Sequence, residues 1–221
     1  HTPASAYLAV RCAALLHEDD RNSIWGELFD AGNEEARMEV VRGVADERAE
    51  SMQILLIRAL DDSKLRQESY RLMAEAGFAI ATARRLMALN AYPERVAYLF
   101  GASARVERKV ESVLEPVLAT GRLWYLAVVL ENIEKNPHDL CLDETLRTRV
   151  EKALAMGFIG MSLAGLRSRD SVVRLQLEAE FAFLLRGAFA WFRKFNPQWK
   201  ERLSEIEWSL GKAEEAEERG A

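Results

Sequence analysis

The sequence contains few of the residues that build chemical sites. Its 221 residues include only two cysteines and three histidines. Cys12 and Cys141 lie far apart without the spacing of a zinc site or a disulfide framework. We therefore expect reduced thiols and a cytoplasmic or other reducing compartment. So few histidines also argue against a catalytic triad.

Glycine and proline are scarce, at 12 and 5 residues, while alanine, leucine, glutamate and arginine are abundant. Glycine and proline disfavour helix interiors, whereas the four abundant residue types favour helix. The composition therefore predicts a helical fold with almost no sheet. The fractions of hydrophobic residues (49%) and charged residues (29%) are typical of a folded soluble protein.

Nucleotide-binding motifs and long apolar runs are absent. Gly157, Gly160 and Gly165 do not form a GxxxxGK[ST] or GxGxxG pattern, and no strand pattern precedes them. A membrane span needs about 20 predominantly apolar residues. Charges such as Glu178 and Arg186 interrupt the most apolar helix, so we expect no span.

Charge of one sign is not dominant, since the formal net charge is -5. This value argues against a dedicated binder of bulk nucleic acid. Acidic residues are concentrated in the first fifty residues and the tail, whereas the segment 167–200 is basic, and this asymmetry is either a partner surface or a solvated face. The cations that nucleic-acid binding would use are Arg167, Arg169, Arg174, Arg193, Lys194 and Lys200.

The clearest pattern is the stretch from Glu50 to Gly77, which predicts two amphipathic helices folded back to back. Asp61, Asp62 and Ser63 separate the two apolar runs, and their side chains can cap a starting helix. Gly77 can adopt the left-handed conformation that ends a helix. Such a short hairpin needs neighbours stacked on its apolar faces.

Further helices are predicted along the rest of the chain, with the one from about residue 170 to Phe195 the longest. The predicted helix starts include Asn33, Pro93, Ser168 or Asp170, and Gln198. The predicted breaks include His17–Ser23, Gly101–Ser103 and Met156-Gly157.

The central hairpin, LIRALDDSKLRQES, resembles a HEAT-type helical repeat. That family has an apolar first helix, a short turn containing Asp, and a second helix that opens with an aliphatic residue and Arg, here Leu65-Arg66. The resemblance implies that Asp61 or Asp62 interacts with Arg66. It covers about one eighth of the chain and has no clean second copy.

We therefore predict an all-α fold of antiparallel helical hairpins, stacked as a short HEAT-like α-solenoid that either continues through the chain or ends in a helical bundle with one long C-terminal helix. The chain is expected to be a single domain, 1–221. Its subdivisions would be repeat-like helices in 1–136 and C-terminal helices in 143–211, followed by a frayed charged tail, 212–221.

Candidate metal and catalytic residues are few. Asp19-Asp20 with Glu34, Glu35 and Glu39 is the best acidic cluster, but it lacks a full DDxxD motif. His138-Asp139 would begin the metal site of an HD-type phosphohydrolase, but no further histidine follows. We expect no catalytic residue, metal site or cofactor, and hence no enzyme.

Aromatic and basic residues alternate near the end of the long helix. Core packing is one interpretation of the aromatic cluster, and the other is a surface that anchors a partner. The predicted partner-binding residues are Trp191, Phe192, Arg193, Lys194, Phe195, Trp199 and Lys200.

These patterns favour a non-catalytic scaffold domain that binds another protein, through a helix or an acidic segment, over two alternatives. One alternative is a helical bundle that binds an apolar small ligand along Phe181 to Phe192, and the other is binding of nucleic acid. The chain opens His1-Thr2-Pro3 without methionine, so we expect it to be part of a larger protein or a processed chain.

Overall fold

The computed structural model describes residues 3–167 and 170–195. Within these ranges the regular structure consists of eleven α-helices and one 3-10 turn, with no β-strand. The prediction of an all-α fold is confirmed. The chain divides into two compact units, one ending at residue 108 and the other beginning at 109. The predicted subdivision after residue 136 falls inside the second unit.

The first unit contains seven α-helices, each burying one face. They are α1 (Pro3–Ala13), α2 (Glu18–Ala31), α3 (Glu34–Asp46), α4 (Gln53–Ala59, after the 3-10 turn Glu50–Met52), α5 (Arg66–Glu75), α6 (Ala79–Ala88) and α7 (Pro93–Val106). The largest fully buried side chains of this unit are Trp25, Leu56, Leu60, Leu65, Met73, Leu99 and Phe100. Burying these apolar side chains stabilises the unit.

The predicted central hairpin is confirmed as α4 and α5, which pack against each other. Leu60 and Leu65 are fully buried on either side of the turn. Within the turn the Asp62 carboxylate accepts a hydrogen bond of 3.0 Å from the Lys64 N–H. Gly77 ends the hairpin at φ 84°, a left-handed conformation that glycine adopts without steric cost.

The two turn aspartates pair with neighbouring helices. Asp62 accepts from Arg37 of α3 at 3.4 Å, and Asp61 accepts from Arg95 of α7. Arg66 Nε instead donates to the Leu60 carbonyl at 2.8 Å. The two aspartate side chains of the turn thus bind arginines of neighbouring helices, while Arg66 of α5 binds the turn through a backbone carbonyl.

Up to residue 195, where the described part of the chain ends, the second unit contains four helices, α8 (Glu111–Thr120), α9 (Leu123–Glu134), α10 (Glu144–Arg167) and α11 (Ser171–Phe195). Helix α9 contacts α8, α10 and α11, so it lies at the centre of the unit. The largest fully buried side chains here are Leu114, Tyr125, Leu130, Ile133 and Trp191.

Three of the predicted helix starts are confirmed. Asn33 caps α3 by accepting a 3.0 Å hydrogen bond from the Ala36 N–H, and Asp170 accepts one of 2.8 Å from the Val172 N–H. Pro93 occupies the first position of α7. The helix predicted from Gln198 and the tail 212–221 lie outside the described residues.

Two of the three predicted breaks are wrong, and the one predicted at His17–Ser23 lies earlier than predicted. The chain breaks between Ala13 and Glu18, and α2 begins at Glu18 because acidic side chains in a first turn interact favourably with the helix dipole. Helix α7 continues through Gly101, which is buried, so tertiary packing outweighs the weak helix propensity of glycine. Helix α10 likewise continues past Gly157, whose missing side chain makes room for Leu123 and Leu184.

Candidate functional site

An apolar groove lies in the second unit between the start of α9 and the middle of α11. Its volume is about 650 Å³. Gly121, Arg122, Leu123, Trp124, Ala127, Met161, Ala179, Glu180, Phe183, Leu184 and Arg186 line it. Because the side chains of Arg122, Ala179 and Arg186 are exposed, the groove opens to solvent.

A tight turn places the first lining residues. Gly121 adopts φ 64° after α8, a left-handed conformation that suits glycine. Thr120 Oγ1 donates to the Val117 carbonyl at 2.7 Å and accepts from the Arg122 N–H at 3.1 Å. These bonds end α8 and start α9 within three residues, so Leu123 and Trp124 lie at the mouth of the groove.

Two glycines allow the helices around the groove, α9, α10 and α11, to approach one another closely. A Cβ atom on Gly187 of α11 would lie 2.9 Å from the Ala127 Cα atom and 3.0 Å from its carbonyl oxygen. A Cβ on Gly157 of α10 would lie 2.8 Å from a Leu123 methyl group and 3.0 Å from a Leu184 methyl group. Because these two glycines have no side chain, α10 and α11 can pack closely against α9.

Charged groups line the rim of the groove. Arg186 forms an ion pair of 3.3 Å with Glu131 and stacks 5.1 Å from the centre of the Phe183 ring. Arg122 donates to the Tyr125 hydroxyl at 2.9 Å. Glu180 supplies the single carboxylate among the lining residues, so the lining lacks the paired acid and base of hydrolytic sites. An apolar floor with a charged rim suits the binding of an amphipathic surface.

The predicted partner-binding residues on α11 lie in two environments. Trp191 is fully buried, so the core interpretation describes it better than the anchor interpretation. Its ring packs 4.5 Å from the ring of Phe195, and Phe192 is partly buried. Trp199 and Lys200 lie outside the described residues.

Arg193 and Lys194 make contacts within the chain. Arg193 forms two hydrogen bonds, of 2.6 and 3.1 Å, with the Glu134 carboxylate at the end of α9. Lys194 Nζ donates to the carbonyls of Asn136 at 2.9 Å and His138 at 3.2 Å. These bonds fix the end of α11 to the connector after α9. The use of either cation in partner binding stays a prediction.

Of the other cations assigned to the nucleic-acid alternative, Arg174 is the one whose side chain the structure describes. Arg174 is exposed and lines a smaller groove of about 280 Å³ that also contains Glu178. A carboxylate beside Arg174 lowers the local positive potential that phosphates require. Arg169 lies outside the described residues, as does Lys200.

The first unit has a charged cleft of about 400 Å³, lined by Phe29, Arg37, Arg58, Asp61 and Asp62. Arg58 binds Asp30 at 2.5 Å and lies 5.0 Å above the Phe29 ring. The two arginines of the cleft are each paired with a carboxylate. This balance of charge indicates that the cleft ties α2 and α3 to the hairpin.

Two of the acidic candidates for a metal site are paired with cations. Glu34 binds Lys64, and this interaction raises the lysine pKa. Glu39 pairs with Arg42 at 2.7 Å. Within residues 3–167 and 170–195, no group of three or more His, Cys, Asp or Glu residues is arranged to hold a metal ion.

Part of the groove lies in the stretch that the sequence assigned to an apolar ligand site, because Phe183, Leu184 and Arg186 fall within Phe181 to Phe192. Leu123 and Trp124 belong to the apolar pattern of α9, and Phe183 belongs to the aromatic cluster of α11. The signal that could have located the groove is the pair Gly157 and Gly187, because helix-interior glycines often mark close packing. Their partners on α9 lie far away in sequence.

No protein-family model, curated protein or solved structure matches this chain. Among the residues that the structure describes, no helix combines the length and apolar character needed to cross a membrane.

Proposed function

We propose that this chain is a non-catalytic interaction domain that binds an amphipathic helix of another protein in the groove of the second unit. The observation that carries the proposal is the groove itself, about 650 Å³ of open apolar space between α9 and α11. A helix in such a groove buries its apolar face, while its polar side chains remain at the rim.

The rim favours a partner that carries charges of both signs beside its apolar face. Arg122 and Arg186 are exposed on the rim, and they are accompanied by Glu180 among the lining residues and by Glu131, which pairs with Arg186 at 3.3 Å. Charge complementarity of this kind increases the association rate and selects the orientation of a partner. Trp124 and Phe183 supply aromatic surface, which is common at the energetic centre of interfaces.

The scaffold role is supported by the packing of the first unit, for which we propose the HEAT-like stacking of a short solenoid. Helices α1, α3, α5 and α7 contact one another in succession, as α1 with α3, α3 with α5 and α5 with α7. Stacked helical hairpins produce this pattern of contacts between every second helix. The described helices of the second unit, α8 to α11, would then form the bundle that follows the solenoid.

A pair of alanine substitutions tests the interaction site. Ala179 lines the groove, whereas Ala182, also exposed on α11, does not line it. We expect Ala179→Arg to place a charged side chain across the groove and abolish partner binding. Ala182→Arg makes the same change of residue type outside the groove and should bind as the wild type does.

The measurement is quantitative capture from the native source, followed by titration of the captured protein, once purified, against each variant. A partner that binds the wild type and Ala182→Arg, but binds Ala179→Arg at least about tenfold more weakly, supports the proposal. Equal binding by all three chains, or turnover of a substrate that depends on Asp19, Asp20 or Glu35, overturns it.

A second candidate function is the binding of an apolar small molecule in the same groove. The groove volume favours it, because small-molecule sites commonly measure about 300 to 1,000 Å³. Native mass spectrometry of the chain purified from its source would show a non-covalent adduct below about 1 kDa, lost in Ala179→Arg and retained in Ala182→Arg. A groove without such an adduct counts against this function.

A further inference from the structure

The chain carries an amphipathic segment of its own close to the groove of the second unit. Helix α11 ends at Phe195, and the sequence predicts a further helix over residues 198–210, which lies outside the described residues. Four apolar residues of this segment are separated by four, three and four positions: Trp199, Leu203, Ile206 and Leu210. On a helix they would form one narrow apolar stripe, the pattern that binds in an apolar groove.

The length of segment 198–210 fits the distance to the groove. Phe183 lines the groove and lies twelve residues before Phe195, which is about 18 Å along α11. A helix over residues 198–210 would be about 20 Å long. Pro197 disfavours a straight continuation of α11. A segment that turns back there and runs antiparallel to α11 would therefore reach Phe183.

The charges of the segment complement those of the rim. The rim carries both signs, with Arg186 paired to Glu131 at 3.3 Å. The segment also carries both signs, on Lys200, Glu201, Arg202, Glu205 and Glu207. Glu207 is nine residues after Gln198, and Arg186 is nine residues before Phe195. An antiparallel segment would therefore bring the Glu207 carboxylate to the level of the Arg186 guanidinium group, where opposite charges attract.

Covalent attachment selects this segment over a helix of another protein when no partner is bound. A short linker gives a tethered segment an effective concentration of about 1 mM. A segment whose intrinsic dissociation constant is about 0.1 mM would then be bound about ten times as often as free. We infer that residues 198–210 occupy the groove between α9 and α11 and compete with its partner.

The consequence for partner binding rests on the proposed function of the groove. If the groove is free in about one molecule in ten, the apparent affinity for the partner falls about tenfold. The segment would thus regulate the interaction domain from within the same chain. Trp199 and Lys200, which the sequence assigned to partner binding, would belong to this competitor.

Hydrogen exchange of the whole chain tests the inference without a partner. The amides of residues 198–210 should exchange about tenfold more slowly in the wild type than in Ala179→Arg, because the new side chain blocks the groove. Ala182→Arg makes the same change on α11 outside the groove and should retain the protection. The protection of α8 to α11 in the same measurement shows whether each variant is folded.

Two substitutions within the segment repeat the test without changing a described helix. Leu203 belongs to the apolar stripe, whereas Ser204 would face away from it on a helix. Leu203→Lys should speed the exchange of residues 198–210 about tenfold, as Ala179→Arg does. Ser204→Lys is the matched control and should exchange as the wild type does.

Three results would overturn the inference. The first is a wild-type segment that exchanges as fast as the segment of Ala179→Arg. The second is protection that survives Ala179→Arg or Leu203→Lys, or that Ala182→Arg also removes, because the contact would then lie away from the groove. The third is protection that is present at about 100 μM but absent at about 1 μM, because it would come from a second molecule rather than from the tethered segment.

The captured partner separates this inference from the proposed function. Leu203→Lys should bind that partner about tenfold more tightly than the wild type does. Equal binding by the two chains would overturn the regulatory role and leave the proposed function intact. A protected segment in a chain that captures no partner would overturn the proposed function and leave the occupancy of the groove intact.

Discussion

At the scale of single residues, neighbouring positions on α11 have different surroundings. Trp191 is fully buried, while Arg193, two positions later, is half exposed and bound to Glu134. The two residue types are both common at interfaces, so their types alone do not separate the core from the surface. Burial does separate them, and it makes a stability measurement informative.

We predict that Trp191→Ala lowers the free energy of unfolding by about 3 to 5 kcal/mol, the cost of removing a large aromatic side chain from a core. Leu175→Ala on the same helix is the control, because Leu175 is 65% exposed and its truncation should change stability by no more than about 0.5 kcal/mol. Urea unfolding followed by circular dichroism measures both. A Trp191→Ala chain as stable as the control would show that the tryptophan is not a core residue.

Glu68 offers a prediction on pH dependence. Hydrogen bonds from Arg71, of 2.9 and 2.6 Å, lower the pKa of the Glu68 carboxyl, and Arg42 at 3.8 Å contributes less. A lowered pKa in the folded state stabilises the fold above the ordinary glutamate value of about 4.3. This contribution is lost as the pH falls through the folded-state pKa.

Arg71→Met should therefore raise the Glu68 pKa towards its ordinary value, as measured by NMR titration of the carboxyl carbon. The stability advantage of the wild type over Arg71→Met should shrink as the pH falls below about 4.3. Arg42→Met serves as the control and should raise the pKa less. Equal shifts in the two variants would contradict the assignment of Arg71 as the main cause.

At the scale of elements, the packing of α11 on α9 depends on a missing side chain. Gly187 faces the Ala127 backbone, which cannot move aside as a flexible side chain can. Glycine has a weak helix propensity, yet it occupies the interior of the longest helix of the described residues. The contact between helices therefore outweighs the local preference.

We predict that Gly187→Ala destabilises the second unit by about 1 to 3 kcal/mol through overpacking. Gly160→Ala on α10 is the matched control, since its new methyl group meets open space and should stabilise the helix by up to about 1 kcal/mol. Thermal unfolding of the two variants should shift in opposite directions. A Gly187→Ala chain as stable as the Gly160→Ala chain would show that α11 can move away from α9 without cost.

At the scale of the whole molecule, each of the two units has its own buried core. Leu60 is fully buried in the first unit, and Leu130 is fully buried in the second. Truncation of a buried leucine to alanine costs about 2 to 5 kcal/mol. Because α4, which Leu60 follows, and α9, which carries Leu130, pack against helices of their own units, the effect should be concentrated in that unit.

We predict that Leu60→Ala reduces amide protection mainly in α1–α7 and that Leu130→Ala reduces it mainly in α8–α11. Hydrogen exchange followed by mass spectrometry resolves the two sets of helices. A uniform loss of protection across the described helices in either variant would instead indicate one cooperative unit. That result would favour the single domain, 1–221, expected from the sequence.

Local sequence signals predicted a large part of the fold. The cap at Asn33, the helix start at Pro93 and the hairpin ending at Gly77 were all predicted, because they depend on residues close together in the chain. The breaks at Gly101 and Gly157 were wrong, because tertiary contacts favour helix at these positions. The part of the groove on α11 overlaps the stretch Phe181 to Phe192, which the sequence assigned to an apolar ligand site, but the lining residues on α9 and α10 were not predicted, because they are distant from α11 in sequence.

The sequence by itself determined that this protein is helical, since helix propensity, apolar spacing and capping act within a few residues. The tertiary structure alone decided which apolar faces are covered. It buried Trp191, opened a groove beside Trp124 and left Met156, Ile159 and Leu163 exposed. The physical reason is that an apolar stripe on a helix is the same in sequence whether it faces a core, a groove or solvent, and only the positions of the other helices distinguish these cases.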